Sequence, residues 1–501
     1  MKTLLAAVFS GVLALTSMSA SHPQAAECHG KPANTFKVSP SGDLTGVTDW
    51  THIMAAFDQA VAAGPRSTVK LAVGDFYTDR PIEVANFSGT VCGAGKELTR
   101  LHTAPGIDFQ LQQNQTASID GPSYMVLYLD SNWPADQTAD ITVSDLSVYI
   151  DGPAVVWTIP ERATSPSWGY WNSNEMNVVQ VGNQTMGYSQ EDTATVKLNV
   201  SYRHLKAVGQ KDPQYTDGIN ILRGFLVGGP ATGTFTFEDL EVNHAEQGAI
   251  AVENVLDSAI QIGGSCANRI LVWNALAAVD FQDLSNCKVE VSYLETDEGS
   301  GGINVWQGTV VGNILYGNPV LAGSMTLREP STWCIHYNRF NDDTGASPVP
   351  YYFAPINIAN FEAYAGYLGN PDWQNTGVGP VHIANNEFNY VDSAMCYEGP
   401  IWIDTAGSRV SITNNRFSGR ACCAICVNWN WFPTEVGWMI RGNDFKHFDT
   451  ASWDWPGVDI QLNNASDCWV IGSKDTTVRD FGNWANPENP LNHLIGVTEV
   501  P

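Results

Sequence analysis

The feature that most constrains this chain is a repeat. Asn-x-Phe recurs after short β-type runs, as Asn338-Arg339-Phe340, Asn386-Glu387-Phe388, Asn415-Arg416-Phe417 and Asn443-Asp444-Phe445, the last three set 29 and 28 residues apart. A second series pairs small residues with an alternating apolar strand, beginning at Ile219, Ile250, Val279, Ile303, Met325, Ile356, Ile401, Ile425 and Val458. Its steps run from 22 to 33 residues, with one of 45. Strands of four or five residues at that spacing, with Gly, Asn and Asp turns and no helix-length segment between them, exclude βαβ units. They fit the rungs of a parallel β-solenoid, in which each rung alone buries nothing and stacking at about 4.8 Å joins the Ile, Val and Phe positions into one core. In this reading the Asn of Asn-x-Phe takes a left-handed turn position and hydrogen-bonds its equivalents in neighbouring rungs, while the Phe stacks inward.

A solenoid needs a cap, because its open end would pair with other chains. Residues 48–63 supply one. They carry N-cap candidates, apolar residues at Ile53, Phe57, Ala60 and Val61, and a Gly64-Pro65 stop, and so predict an amphipathic helix. That helix is followed by Gly74-Asp75-Phe76-Tyr77 and by Gly93-Ala94-Gly95-Lys96-Glu97-Leu98-Thr99. In this order the segments resemble the opening of secreted right-handed parallel β-helix proteins of the pectin-lyase-like superfamily. The resemblance covers residues 48–101 by motif and 218–461 by rung pattern. It implies an all-β, right-handed parallel β-helix with a short N-terminal capping helix. It also implies that an enzyme of this kind works on the outer face of one parallel sheet, in a groove roofed by loops. The sequence has no "G-H-G" and no paired "D-D" with "R-I-K" as in polygalacturonase-like hydrolases, nor an Asp cluster with Arg matching pectate lyases, so neither catalytic set is carried over.

Met1-Lys2-Thr3, the apolar run Leu4–Leu15 and the small residues Ser17, Ser19 and Ala20 match a secretory signal over residues 1–20, leaving one β-helix domain over 21–501. A secreted, extracellular protein is expected. Ten cysteines then favour disulfides. Cys266 and Cys287 each open a matching β-type run 21 residues apart, which predicts a bridge between adjacent rungs. The Cys422, Cys423 and Cys426 group lacks the His/Cys partners of a tetrahedral metal site. Five sequons, at Asn86, Asn114, Asn183, Asn199 and Asn464, would permit glycosylation in a eukaryotic host.

With 25 Lys and Arg against 52 Asp and Glu, the chain has no electrostatic grip on phosphates, so nucleic acid is excluded as a partner. Past the leader no apolar run is long enough for a membrane span. The 17 Trp and 17 Tyr favour a neutral, hydroxyl-rich ligand, a polysaccharide or oligosaccharide bound by a monomer.

Strand side chains alternate, so residues between the apolar positions face outward. One outward row runs Asn220, Ala251, Asp280, Asn304, Thr326, Asn357, Trp402, Cys426 and Asp459. The next runs Leu222, Glu253, Gln282, Trp306, Arg328, Ala359, Asp404, Asn428 and Gln461. Glu253 and Asp280, one rung and two residues apart, should stand about 8 Å from each other, inside the window of about 6.5–9.5 Å used by inverting glycosidases. The candidate catalytic residues are Glu253, Asp280, Asp404 and Arg328, and the candidate substrate contacts are Asn304, Trp306, Trp402 and Gln282. Excursions at 341–353 and 361–380 would roof these rungs. Three functions stay open at this point. A carboxylate-driven hydrolase needs no cofactor. A lyase or epimerase acting on a uronic-acid polymer needs a base, with Arg328 the one basic residue in the rows, and a cation such as Ca²⁺. A binding protein needs neither.

Overall fold

The structure, a computed structural model, describes residues 34–105, 124–130, 133–134, 136–151, 176–182, 195–209, 221–245, 248–265, 268–275, 278–297, 303–307, 331–342, 356–360, 380–390, 400–404, 409–421, 423–427, 435–450, 457–463, 465–482 and 490–501. The proposed leader 1–20 and residue Arg328 lie outside them.

Parallel strands dominate, stacked coil upon coil into three long ladders that make a parallel β-helix. The first ladder takes Ile82–Ala85, Tyr124–Asp130, Met176–Gly182 and the start of Ile221–Ala245. It goes on through Gly248–Leu256, Val279–Ser285, Ile303–Gln307, Ile356–Asn360, Ile401–Asp404, Ile425–Val427 and Ile460–Leu462. The second ladder includes Ser67–Leu71, Gly89–Cys92, Ala259–Ile262, Lys288–Ser292, Thr332–His336, Val381–Ala384 and Val410–Thr413. The third includes Gly74–Thr78, Thr99–Thr103, Ile270–Ala275, Leu294–Asp297, Arg339–Asp342, Glu387–Tyr390 and Arg416–Arg420. Inward positions of the first ladder are the apolar ones, and Ile250, Val279, Ile303, Ile356, Ile401 and Ile425 are all buried in one continuous core.

Three rungs of the expected series are corrected by the register. Ile250 pairs with Phe225 rather than Ile219, so Leu226 stands where Asn220 was expected and Gly228 where Leu222 was. Ile303 pairs directly with Ile356, so no strand stands between these two in the first ladder, and Met325 and Arg328 lie outside the described residues. Ile425 pairs with Ile460 rather than Val458, which moves Gln461 into the row of Cys426. In each case a nearby run with similar alternation imitates the true strand.

Between the second and third ladders the chain turns on single residues in the left-handed region, including Asp145, His204, Asp239, Tyr293, Tyr337, Asn385 and Asn414, with φ between 48° and 60°. The Asn of each Asn-x-Phe comes one residue after this kink, a correction of one position. Its side chain nevertheless forms the expected ladder. Asn386 Oδ1 accepts from the backbone N–H and Nδ2 of Asn338, both at 3.0 Å, while Asn386 Nδ2 donates to Ile335 O and to Asn415 Oδ1 at 3.0 Å. Asn415 repeats the pattern with Asn443. These groups are buried, so the bonds meet a requirement that burial imposes on every backbone N–H and C=O. Inside them Phe340, Phe388, Phe417 and Phe445 stack with ring centroids 5.1, 4.8 and 5.0 Å apart.

The helix Val47–Ala63, the one helix among the described residues, lies against the first strands with Ile53, Ala56, Phe57 and Ala60 buried. Asp43 Oδ2 caps it by accepting from Thr48 N–H at 3.1 Å and from the Thr48 hydroxyl at 2.8 Å, and the Thr45 and Thr48 hydroxyls hold this carboxyl well below the usual range. Buried Asp49 accepts from Ser41 and Tyr77 N–H at 2.7 and 2.9 Å, tying the helix to the first coil.

The expected Cys266–Cys287 bridge is not formed. Cys287 carries a buried thiol 3.5 Å from Val255 O, and Cys266 lies outside the described residues. The reason is topological. Cys287 precedes a second-ladder strand between Ser258 and Ser331, whereas Cys266 precedes the third-ladder strand Ile270–Ala275. A disulfide does join Cys423 and Cys426. Asn341 and Asp342, expected to begin an excursion, belong to the strand Arg339–Asp342. The rest of 341–353, and 361–379, lie outside the described residues.

Candidate functional site

The first ladder brings the sequence-predicted residues into two adjacent outward rows. Ala251, Asp280, Asn304, Asn357, Trp402 and Cys426 stand in register in one. Glu253, Gln282, Trp306, Ala359 and Asp404 stand in the other. Glu253 and Asp280 are thus one rung and two residues apart. Asp404 is four rungs from Glu253, about 19 Å at standard sheet spacing, beyond the reach of a shared glycosidic bond. Trp402 is half-buried. The side chains of Gln282, Asn304, Trp306 and Asp404 lie outside the described parts of these strands, and only their register is used here.

Carboxylates on a strongly acidic protein are ordinarily solvated. These two are not: Asp280 is 4% exposed, and the Glu253 side chain is 13% exposed and bonded at 2.5 Å to Nη2 of Arg223, itself 3% exposed. Burying charge costs several kcal/mol unless it is matched, which makes a buried Arg–Glu pair beside a second buried carboxyl an expensive arrangement on an outward sheet face. Upstream of Glu253 the in-register positions are Gly228 and Gly182, which leave a strip without side chains. Gly248 closes over Asp280, where an added Cβ would come within 3.0 Å of Asp280 Cβ.

The chain's connections single out this face. Between the second and third ladders one or two residues suffice in most coils, an exception being 263–269 between Ala259–Ile262 and Ile270–Ala275. The segments 152–175, 210–220, 343–355 and 391–399 lead from the third ladder into the first, and 183–194, 308–330, 361–379 and 405–408 follow first-ladder strands toward the second. Both borders of the first face are therefore where the chain inserts extra residues, the pattern of a scaffold that carries its binding loops on one side.

The sequence reading did not pick out Arg223 as part of the site, because it pairs with Gly248, five register positions from Glu253. It also did not pick out a stack on the third ladder. There Tyr77, His102 and Tyr149 pack ring on ring at 5.0 and 4.9 Å. His102 Nδ1 lies 2.5 Å from Asp151 Oδ2, with Nε2 3.4 Å from Asp75 Oδ1. The shared x-aromatic spacing of Asp75-Phe76-Tyr77, Arg100-Leu101-His102 and Ser147-Val148-Tyr149 is its sequence signal. Arg100 grips Asp75 at 2.5 and 3.2 Å and holds its carboxyl below the ordinary value, while burial, aided by Asp75 and Asp151, raises the Tyr77 phenol. The ring faces are taken up by one another, so the stack consolidates the sheet rather than offering a sugar platform. No group of three or more His, Cys, Asp or Glu side chains suited to a metal ion occurs among the described residues.

No family model and no curated protein matches the chain. Among solved structures, the catalytic domain of a GH87 alpha-1,3-glucanase in complex with nigerose aligns over 95% of this chain and 70% of its own, at 10% identity and a TM-score of 0.40. A variant of such a domain in complex with tetrasaccharides gives 0.42 at 10% identity with the same coverage. The Agl-KA catalytic domain gives 0.32 at 13% identity over 94% of this chain and 69% of its own. The likeness is one of overall course, and the functional argument rests on this chain's own residues.

Proposed function

We propose that the protein is a secreted polysaccharide hydrolase whose groove is the outer face of the first ladder. The observation that carries this is the pair of buried carboxyl groups, Glu253 and Asp280, placed one rung and two residues apart on the face whose borders receive the chain's long insertions. At about 8 Å, one carboxylic acid can protonate the glycosidic oxygen while the other, as a carboxylate, takes a proton from water attacking the anomeric carbon from the opposite side. The bond to the leaving sugar breaks as the bond to water oxygen forms, and the configuration inverts. Neither step calls for a cofactor.

Trp306 and Trp402 would serve as stacking surfaces, and Gln282 and Asn304 as hydrogen-bond partners for sugar hydroxyls along the rows. Asp404, too distant for the same bond, would meet a sugar several units away. Arg328 lies outside the described residues and is given no role in this reading.

The test is product chemistry on a panel of neutral and uronate-containing polysaccharides, α-1,3-glucan among them. New reducing ends without unsaturated-uronate absorbance support the reading, provided Glu253→Gln and Asp280→Asn fold normally and lose turnover. Unsaturated products would replace it with elimination, and binding without cleavage across the panel would replace it with a binding function.

A further inference from the structure

We infer that Arg223 is the positioning residue for Glu253, a role that rests on the hydrolase reading and deepens it. The Arg223 guanidinium is nine-tenths buried and meets Oε1 of Glu253 at 2.5 Å. It is not a cross-strand neighbour. Arg223 pairs with Gly248 and Glu253 with Gly228, so the two stand five register positions apart along the strands. Gly228 and Gly182 stand in register beside Glu253 and project nothing there, and Gly182 has to be glycine, since an added Cβ would meet Gly228 O at 2.0 Å.

An ion pair that only stabilised the fold would gain more on the exposed third ladder, where desolvation is slight. This one is buried and holds Glu253, which stands one rung from Asp280. The ion pair at Oε1 restricts the Glu253 rotamer, and in this role Oε2 is the oxygen that exchanges a proton with water or with the leaving group. Arginine suits the task because its planar fork is preorganised, whereas a lysine would offer a mobile point charge.

The experiment compares full-length Arg223→Met, Arg223→Lys and Glu253→Gln, with Arg416→Met on the third ladder as control, on the panel polysaccharide that the unaltered protein cleaves. Arg223→Met is expected to lose about 10²-fold in kcat with KM within about 3-fold, Arg223→Lys to fall between, and Arg416→Met to match the unaltered protein. Added guanidinium at millimolar levels should raise kcat of Arg223→Met by about 10-fold and leave Glu253→Gln unmoved. A folded Arg223→Met with unchanged kcat, a rise in KM alone, or no response to guanidinium overturns the inference. If Arg223→Met does not fold, Arg223→Lys decides, and a native melting curve with native kcat there is equally contrary. Full activity in Glu253→Gln would remove the hydrolase reading itself, whereas an inactive Glu253→Gln beside an active Arg223→Met removes only the role of Arg223.

Discussion

The corner between the second and third ladders and the face of the first ladder are built from the same coils by opposite means. At the corner the four coils that carry Asn338, Asn386, Asn415 and Asn443 repeat one solution: a single left-handed residue, an Asn bonded to its equivalents in neighbouring coils, and a Phe stacked on its equivalents. On the first face the residues vary from coil to coil, and Gly228, Glu253, Gln282, Trp306, Ala359 and Asp404 succeed one another in one row. Repetition gives each corner group the same partner above and below, so register is fixed there. The first face is thereby freed to hold buried charge and to accept insertions without losing the stack.

The contrast can be broken most severely at the corner. Asn386→Leu removes the acceptor for two Asn338 donors and the donor to Ile335 O, and should cost about 4–5 kcal/mol in denaturant unfolding. Phe388→Ala, which opens a void between Phe340 and Phe417, should cost about 3–4 kcal/mol by the same measurement. Both should leave kcat close to native below their melting temperatures. On the first face the reverse is expected. Gly248→Ala presses a methyl against Asp280 and should lower kcat about 10-fold, with a stability loss under about 1 kcal/mol.

Smaller effects sharpen the picture. Burial raises the Asp459 carboxyl, with hydrogen bonds from Thr477 opposing the shift. A carboxyl raised in the folded state stabilises the fold at low pH, and that contribution is lost as pH rises through its folded value. Asp459→Asn should therefore raise the melting temperature slightly at neutral pH, with the gain fading as pH falls through the carboxylate range. Least of all, Arg339→Ala breaks exposed pairs with Glu295 and Glu387 at 3.9 and 3.2 Å and should cost less than about 0.5 kcal/mol, vanishing in high salt.

How much of this was legible in the sequence follows from the same contrast. Asn-x-Phe was readable because hydrogen bonding and stacking demand the same residue in successive coils, though the kink itself fell one residue earlier, on positions as varied as Tyr337 and Asn385. The helix was readable from its 3.6-residue period and differs by one residue at its start. The phase that places Glu253 and Asp280 was readable because a one-residue slip would bury them and expose Ile250 and Val279. The false rungs at Ile219, Met325 and Val458 arose where alternation alone cannot distinguish a strand from a neighbouring segment. The Cys266–Cys287 expectation failed because similar runs on two different ladders look alike in one dimension. Arg223 was not identifiable as a partner of Glu253, since the two stand five register positions apart on neighbouring strands.

The measurement that bears most directly on the first face as the catalytic one is turnover and thermal midpoint together, in Asp280→Asn and Glu253→Gln, on a polysaccharide the unaltered protein cleaves. Each variant is expected to keep its folded signature and to lose on the order of 10² or more in kcat. Near-native turnover in both would place the chemistry elsewhere on the molecule.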